Sequence, residues 1–450
     1  MTHSADSAGS TSPSTPATGT PSTGTRRDFL RHSSSVVAAG SMAATIAGTL
    51  SVARHAHAGG ADDTLKVGLI GCGGRGTGAA AQALQADPGS RLWALGDVFS
   101  DRLSSSLENL KKMPEVSSKI EVADDRCFVG FNAFQQVIDS GVDVVVLATP
   151  PHFRPQQLAA AVAAGKHVFC EKPVAVDAPG VRSVLETSEL AKQKGLSIVS
   201  GLCWRYDHGV RETVKRIQDG AIGDIVAIQE NYLAGSLWMH PRQESWSDME
   251  WQLRNWLYFS WLSGDHNVEQ HVHSLDKAMW LLGDVLPLKA TGLGGRQVRT
   301  GPEYGHIFDH HAVVYEFPNN VKVFAYTRQM DGCATDVEDY VMGTKGRAKI
   351  LAHVIDGPER WRYRGAKNNM YQTEHDELFA AIRSGQPINN GQYMAHSTLM
   401  AIMGRMATYT GKTISGDEAL ASTERLGPTT YEFGPLEVPQ VAMPGRTAFA

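Results

Sequence analysis

Leu65-Lys66-Val67-Gly68-Leu69-Ile70 runs directly into Gly71-Cys72-Gly73-Gly74-Arg75-Gly76, and an Ala-rich stretch, 79–84, follows. The first six residues read as a buried strand and the Ala-rich stretch as a helix. Glycines at the first, third and sixth positions of the turn between them suit a dinucleotide pyrophosphate. Gly71 permits the tight turn and Gly73 lets the backbone approach the phosphates. Gly76 lets helix and strand pack closely, so that the helix N-terminus faces the anion. Gly74 and Arg75 belong to the same cradle. A glycine turn alone is a weak signal, and Asp97 strengthens it. It closes a second apolar segment, 92–96, about 20 residues on, where a carboxylate can accept from the adenosine ribose hydroxyls. The same carboxylate repels a 2′-phosphate, which favours NAD over NADP; Arg75 and Arg102 are nearby cations that soften the preference.

The rhythm of strand and helix continues to about residue 203. A short strand or loop spans 124–131 and a helix 133–140. The Val-rich run 142–149 has the composition of a strand buried on both faces. Residues 156–164 read as a helix, 167–170 as a strand, 178–194 as a long helix and 196–202 as a strand. Repeated βα units with short loops predict a doubly wound parallel sheet over 64–203, an α/β Rossmann domain with its ligand at the carboxyl ends of the strands. Thr149, Pro150, Pro151, His152, Glu171, Lys172 and Pro173 then lie beside the nucleotide. Lys172 in that cleft is a candidate proton handler or substrate ligand, and equally a surface charge before a turn proline.

After Trp204 the pattern changes. A helix at 210–219 is followed by alternating strands at 225–232, 290–298, 311–317, 321–328, 336–343 and 347–351, which predict a mostly antiparallel sheet over 204–370. A helix near 268–282 interrupts them. Helices at 373–384 and 396–410 place C-terminal helices and a tail in 371–450, packing back on the cleft. On the 268–282 helix, Glu269, His273 and Asp276 share one face, with Asp265 and His266 just before it. That many ionisable groups are costly in a plain core helix. A substrate cleft explains them, and zinc or iron is the rival. Arg205 and Tyr206 end the last parallel strand and face the same cleft, Arg205 as a ligand of a sugar hydroxyl or as a hinge ion pair. Trp238, Trp246, Trp251, Trp256 and Trp261 crowd one stretch and suit either a sugar's C–H face or a core or oligomer interface.

The 450 residues carry a net charge of −5, and five widely spaced cysteines suit neither a zinc site nor a redox pair. The slight acidity leaves no footprint for nucleic acid. Residues 1–24 are almost all Ser, Thr, Pro, Ala and Gly, and cannot build a core. Thr25-Arg26-Arg27-Asp28-Phe29-Leu30-Arg31, a weakly apolar run at 36–52 and Ala56-His57-Ala58 resemble a twin-arginine signal with its cleavage site. Residues 1–58 are thus expected to be a leader read by the twin-arginine export machinery. The run is short and polar for a stable membrane span, which takes ~20 mostly apolar residues. That route carries folded proteins, so a periplasmic or other extracytoplasmic address comes with a tightly held cofactor.

Taken together, the glycine turn, Ala148-Thr149-Pro150-Pro151-His152, Glu171-Lys172-Pro173, the Glu269-x-x-x-His273-x-x-Asp276 face and the segment 219–225 resemble the glucose–fructose oxidoreductase/inositol dehydrogenase (Gfo/Idh/MocA) family. The resemblance covers about residues 64–415. It implies a Rossmann domain followed by an open, mostly antiparallel α/β domain. It also implies NAD(P)-dependent oxidation or reduction of a sugar or polyol carbon, no metal, and a homo-oligomer. By resemblance Lys172 hydrogen-bonds the reacting hydroxyl and His273 is the acid/base. Glu269 stands where the family carries Asp, and Asp276 orients His273 or its helix. His266, Arg205 and Tyr206 complete the substrate side. Two other functions fit the same sequence: an NAD-dependent glycoside hydrolase or lyase working by transient oxidation and elimination, and a non-catalytic sugar- or nucleotide-binding protein.

Overall fold

The computed structural model describes residues 63–449, so the leader and signal motif lie outside the described residues. Six parallel strands, β1 (Leu65–Ile70), β2 (Ser90–Asp97), β3 (Cys127–Val129), β4 (Val144–Leu147), β5 (His167–Cys170) and β6 (Ile198–Ser200), form one sheet in the order β3-β2-β1-β4-β5-β6. Helices α1 (Gly74–Ala86), α2 (Ser100–Lys112), α3 (Ala133–Asp139), α4 (Arg154–Ala163) and α5 (Ala178–Lys194) connect them. The order reverses between β1 and β4, which puts the ligand crevice at the carboxyl ends of those two strands. Local chemistry explains the sharp boundaries. The four residues of β4 are Val-Val-Val-Leu and fully buried, as a central strand covered on both faces requires. Helix α5 begins where the Asp177 carboxylate accepts from Gly180 N–H (2.9 Å) and ends on Gly195 at φ +67°.

The chain then forms α6 (His208–Gln218), β7 (Ile225–Ala234), α7 (Asp248–Arg254), α8 (Ser260–Ser263), α9 (His266–Glu269) and α10 (Val272–Leu281). Strands β8 (Lys289–Gly295), β9 (His310–Glu316), β10 (Lys322–Gln329), β11 (Asp336–Gly343), β12 (Arg347–Lys349), β13 (Val354–Asp356) and β14 (Arg360–Arg362) come next. Helix α11 (Met370–Ser384), helix α12 (Gly391–Thr410), β15 (Ile414–Ser415) and α13 (Gly416–Ala421) complete the described secondary structure. The nine strands lie in the order β14-β13-β12-β11-β7-β10-β9-β8-β15, antiparallel except for the β7–β10 pair. Strand β9 alternates buried and half-buried residues, as a sheet covered on one face does. Helices α10 and α12 lie against that covered face.

The C-terminal segment packs against the parallel sheet and its helices. Helix α11 lies on α1, and Ile198 N–H donates to Ile388 O (2.8 Å) while Asn390 N–H donates to Ile198 O (2.9 Å). These bonds cover the open edge of β6. The continuous helix expected over 268–282 is not formed. It is broken into α9 and α10, because His271 N–H reaches back five residues to His266 O (3.1 Å) and His273 N–H then bonds Gln270 O (3.3 Å). One wide turn followed by a tight one rotates the second piece. The Trp-rich stretch holds helices that its composition did not announce. Among the described residues no helix is long and apolar enough to cross a membrane.

Candidate active site

The glycine turn has the geometry that a pyrophosphate needs. Gly71 sits at φ +95°, and a Cβ there would lie 2.6 Å from the Ala148 backbone. A Cβ on Gly76 would lie 1.9 Å from Gly71 O, so helix and turn meet only through glycine. At Gly74 a Cβ would meet nothing within 4 Å, and at Gly73 only Arg102 Nη1 at 3.5 Å. That space lies at the start of α1, whose N-terminus has no side-chain cap. The residues present therefore fit a dinucleotide. The adjoining cleft is lined by Gly71, Gly73, Asp97, Arg102, Thr149 and Pro150, with Phe99, Phe131, Leu253 and Trp256 as its apolar walls. Asp97 accepts from Cys72 N–H (2.6 Å) and Phe99 N–H (2.9 Å), which fixes its carboxylate at the rim. Burial pushes its pKa up. Thr149 Oγ1 donates to Gln157 Oε1 (2.6 Å).

Three residues expected at the nucleotide point elsewhere. The Arg75 guanidinium binds Glu171, Gln82 Oε1 (2.8 Å) and, from α11, Glu374 Oε1 (2.7 Å), so only its backbone stays in the cradle. Two carboxylates on one guanidinium is a crowded arrangement. Burial and the charge of Glu171 raise the pKa of Glu374 well above the usual carboxylate range. Glu171 fills the space that a Cβ on Gly201 would take, 2.7 Å from its Oε2. His152 Nε2 pairs with Tyr431 OH (2.7 Å), and its ring meets the Trp261 edge at 5.0 Å. Burial lowers its pKa to about 4, so it is a neutral packing residue rather than a phosphate ligand.

Lys172 lies just past β5. Its Nζ donates to Glu269 O (2.6 Å) and Glu269 Oε1 (2.7 Å), so one residue clamps it twice. Glu in the position of Asp still reaches Lys172. An ammonium has three N–H donors, and these bonds leave one for a ligand. His273, in the first turn of α10, is half-buried, and its Nδ1 has no partner. Burial, then the charges of Lys172, Lys277 and Arg75, hold its pKa well below 6.5. It is therefore a neutral imidazole that feels the charge of the Lys172 ammonium.

The rest of the expected face turns away. Asp276 does not bond His273. Both its oxygens accept from Arg205 Nε (3.0 Å each), Arg205 Nη2 bonds Oδ1 (2.9 Å), and Ser397 Oγ adds a bond (2.8 Å). Arg205 also binds Asp284 and lies 3.8 Å from the Tyr393 ring centre, so it is an interior ion pair and not a substrate ligand. Tyr206 OH donates to Asn390 Oδ1 (2.8 Å) and is buried. His266 is fully buried. Its Nδ1 lies 2.8 Å from Asp265 Oδ1, and His311 Nε2 lies 3.2 Å from the same oxygen. Asp265, His266 and His311 bring ligand-type atoms within 4.8 Å of one another. With Phe308 N–H (3.0 Å) and Tyr409 OH (2.5 Å) also on Asp265, the group is a buried hydrogen-bond knot in which His266 Nε2 alone is left without a partner. It holds Asp265 at φ +79°, at the entry to α9. The reading from sequence did not include Phe131 and Leu253, and it took Trp256 for a sugar-stacking or interface ring and not for a wall of the nucleotide cleft. The dense tryptophans around it were the one signal for Leu253.

Comparison with known proteins agrees with this geometry. Residues 65–201 match the GFO_IDH_MocA model, described as an oxidoreductase family with an NAD-binding Rossmann fold. The chain is 29% identical over 211 residues to 2,7-anhydro-N-acetylneuraminate hydratase of Escherichia coli (strain K12), covering 46% of this chain and 51% of that protein. It is 25% identical over 288 residues to an inositol 2-dehydrogenase of Acidiphilium cryptum (strain JF-5), covering 64% of this chain and 74% of that one. The chain thus spans about half the length of the first of these relatives. The crystal structure of aldose-aldose oxidoreductase from Caulobacter crescentus, complexed with glycerol, shares the fold. Its TM-score is 0.60 at 20% identity, over 78% of this chain and 99% of that one. Residues 65–201 are thus similar to the NAD-binding Rossmann domain of the Gfo/Idh/MocA oxidoreductase family.

Proposed function

We propose that the protein is an exported, NAD-dependent oxidoreductase that acts on a CH–OH carbon of a sugar, polyol or sugar derivative. The observation that carries this reading is the Lys172 ammonium, just past the carboxyl end of β5, clamped by Glu269 with one N–H to spare, its charge acting on a neutral His273. Bound there, NAD would supply the hydride acceptor for the substrate carbon. The spare N–H of Lys172 donates to the substrate oxygen and stabilises negative charge as it develops. His273 takes the hydroxyl proton, for which its lowered pKa keeps it ready at neutral pH. The relatives named as inositol 2-dehydrogenase and aldose-aldose oxidoreductase support a polyol or sugar as substrate. Asp97 at the end of β2 favours NAD over NADP, because a 2′-phosphate would meet its carboxylate. The twin-arginine motif supports export of the folded, loaded protein.

Lys172→Ala and His273→Ala should each lower turnover by about 10²- to 10⁴-fold while nucleotide stays bound. The assay follows NADH formation across a panel of polyols and aldoses, with nucleotide content counted after denaturation. Retained turnover in both variants would sink the assignment. The hydratase relative favours a second reading, in which a hydride passes from a substrate carbon to bound NAD and later returns, with Lys172 and His273 handling the protons of an elimination in between, so that there is no net redox change. Conversion of an anhydro sugar or glycoside without added NAD separates the two.

A further inference from the structure

The nucleotide cleft is walled partly by chain from outside the Rossmann domain: Leu253 and Trp256 face Phe99, Phe131 and Phe153 across it. A second outside segment lies behind that wall. Beyond α13 the chain has no helix or strand to residue 449, yet two of its ties to the rest of the molecule flank this wall. Leu426 N–H donates to Asp177 Oδ2 (3.0 Å). Further on, Met249 N–H donates to Gly434 O (3.1 Å), Gln252 Nε2 to Leu436 O (2.9 Å) and Leu436 N–H to Asp248 Oδ2 (3.2 Å). Between these anchors two rings lie on the wall of the cleft. Tyr431 OH is 2.7 Å from His152 Nε2, and its ring is 5.6 Å from Phe153 and 5.9 Å from Phe131. The Phe433 ring is 5.3 Å from Phe131 and 5.9 Å from Phe99. Gly427, at φ +103°, lets the chain come down, because a Cβ there would lie 2.8 Å from His152 Cε1. Tyr431 and Phe433 keep 38% and 49% of their surface exposed, so this is one layer laid over the wall and not a core.

We propose that residues 426–436 are a strap that retains the dinucleotide. The inference rests on the reading of this cleft as the nucleotide site. Phe99, Phe131 and Phe153 must move apart for a nucleotide to leave past them, and Tyr431 and Phe433 pin all three. The strap's second anchor is α7, whose Leu253 forms the opposite wall, so one displacement loosens both sides. The strap thereby makes the cofactor captive, unlike an exchangeable cosubstrate.

The test is the exchange of radiolabelled NAD into the full-length protein, set against Tyr431→Phe and Tyr431→Ala/Phe433→Ala. Exchange should be slow in the parent. It should be about two- to tenfold faster in Tyr431→Phe, which deletes one hydroxyl and leaves packing intact. In the double variant it should be faster by about tenfold or more. Equal rates in parent and Tyr431→Phe, with the double variant equal or unfolded, overturn the strap. So does a parent that exchanges as fast as it is mixed. A protein that neither carries nor takes up nucleotide overturns the strap and the reading of the cleft together. Strap-dependent retention without oxidation of any polyol overturns only the proposed reaction.

Discussion

Asp276→Asn should cost the fold more than the chemistry. The Arg205 side chain is 8% exposed and the Asp276 side chain 1%, and the two share bonds from Nε and Nη2 to both carboxylate oxygens. Asn keeps the shape and one acceptor but removes the counter-charge. Removing one partner of a buried pair costs about 3–5 kcal/mol. Asp284 remains on Arg205 Nη2 at 2.5 Å, but its side chain is 36% exposed, so it offsets only part of the loss. We expect about 2–3 kcal/mol, read as a lower urea midpoint at unchanged slope. Turnover below the transition should stay within about threefold of the parent, because Asp276 makes no bond to His273; a proton relay would be worth about 10²–10⁴. Arg205→Met/Asp276→Leu, which removes both charges, should recover most of the stability. An unchanged midpoint with turnover lost would refute the reasoning and return Asp276 to the reaction.

Gly76→Ala should abolish nucleotide content and lower the unfolding midpoint, since its Cβ would sit 1.9 Å from Gly71 O. Gly74→Ala, with no neighbour within 4 Å, should keep the parent's midpoint to about 1 kcal/mol. His152 is neutral in the fold, with a pKa of about 4 against 6.5 when unfolded. The unfolded chain therefore takes up its proton first, and this residue's contribution is complete above pH 6.5 and falls away between 6.5 and about 4. Compared between about pH 7.5 and 5, His152→Gln should lose about 2 kcal/mol less stability than the parent; equal losses would show that the ring is not held neutral.

What was legible in the sequence was local. The turn at 71–76 and the helix Ala178–Lys194 are written in glycines, a capping Asp177 and a terminal Gly195, all of which act within a few residues. The break between α9 and α10 carries no Gly or Pro. It arises because Asp265 is fixed by Phe308, His311 and Tyr409, residues up to 144 positions away. Periodicity therefore predicted one helical face, whereas α9 ends with Glu269 on Lys172 and the rotated second piece sends Asp276 to Arg205. Arg205 is the same case: sequence placed it at the cleft's edge but did not show that Asp276, 71 positions on, would claim it.

The polar groups at the cleft also hold the molecule's parts together, and this bears on why Glu stands at 269. Lys172, from the Rossmann sheet, is bonded to both the carbonyl and the carboxylate of Glu269, from the second domain. Arg75, from the glycine cradle, is bonded to Glu171 and to Glu374 of the C-terminal helix α11. Each tie crosses a boundary between segments that the sequence read as separate. Glu269 is the last residue of α9, before the wide turn. From that position the longer side chain places its carboxylate on the same Nζ that its own carbonyl already holds. The extra methylene is therefore part of a clamp on Lys172. Because the clamp spans two domains, the position of the Lys172 ammonium in the cleft depends on how those domains are set against each other.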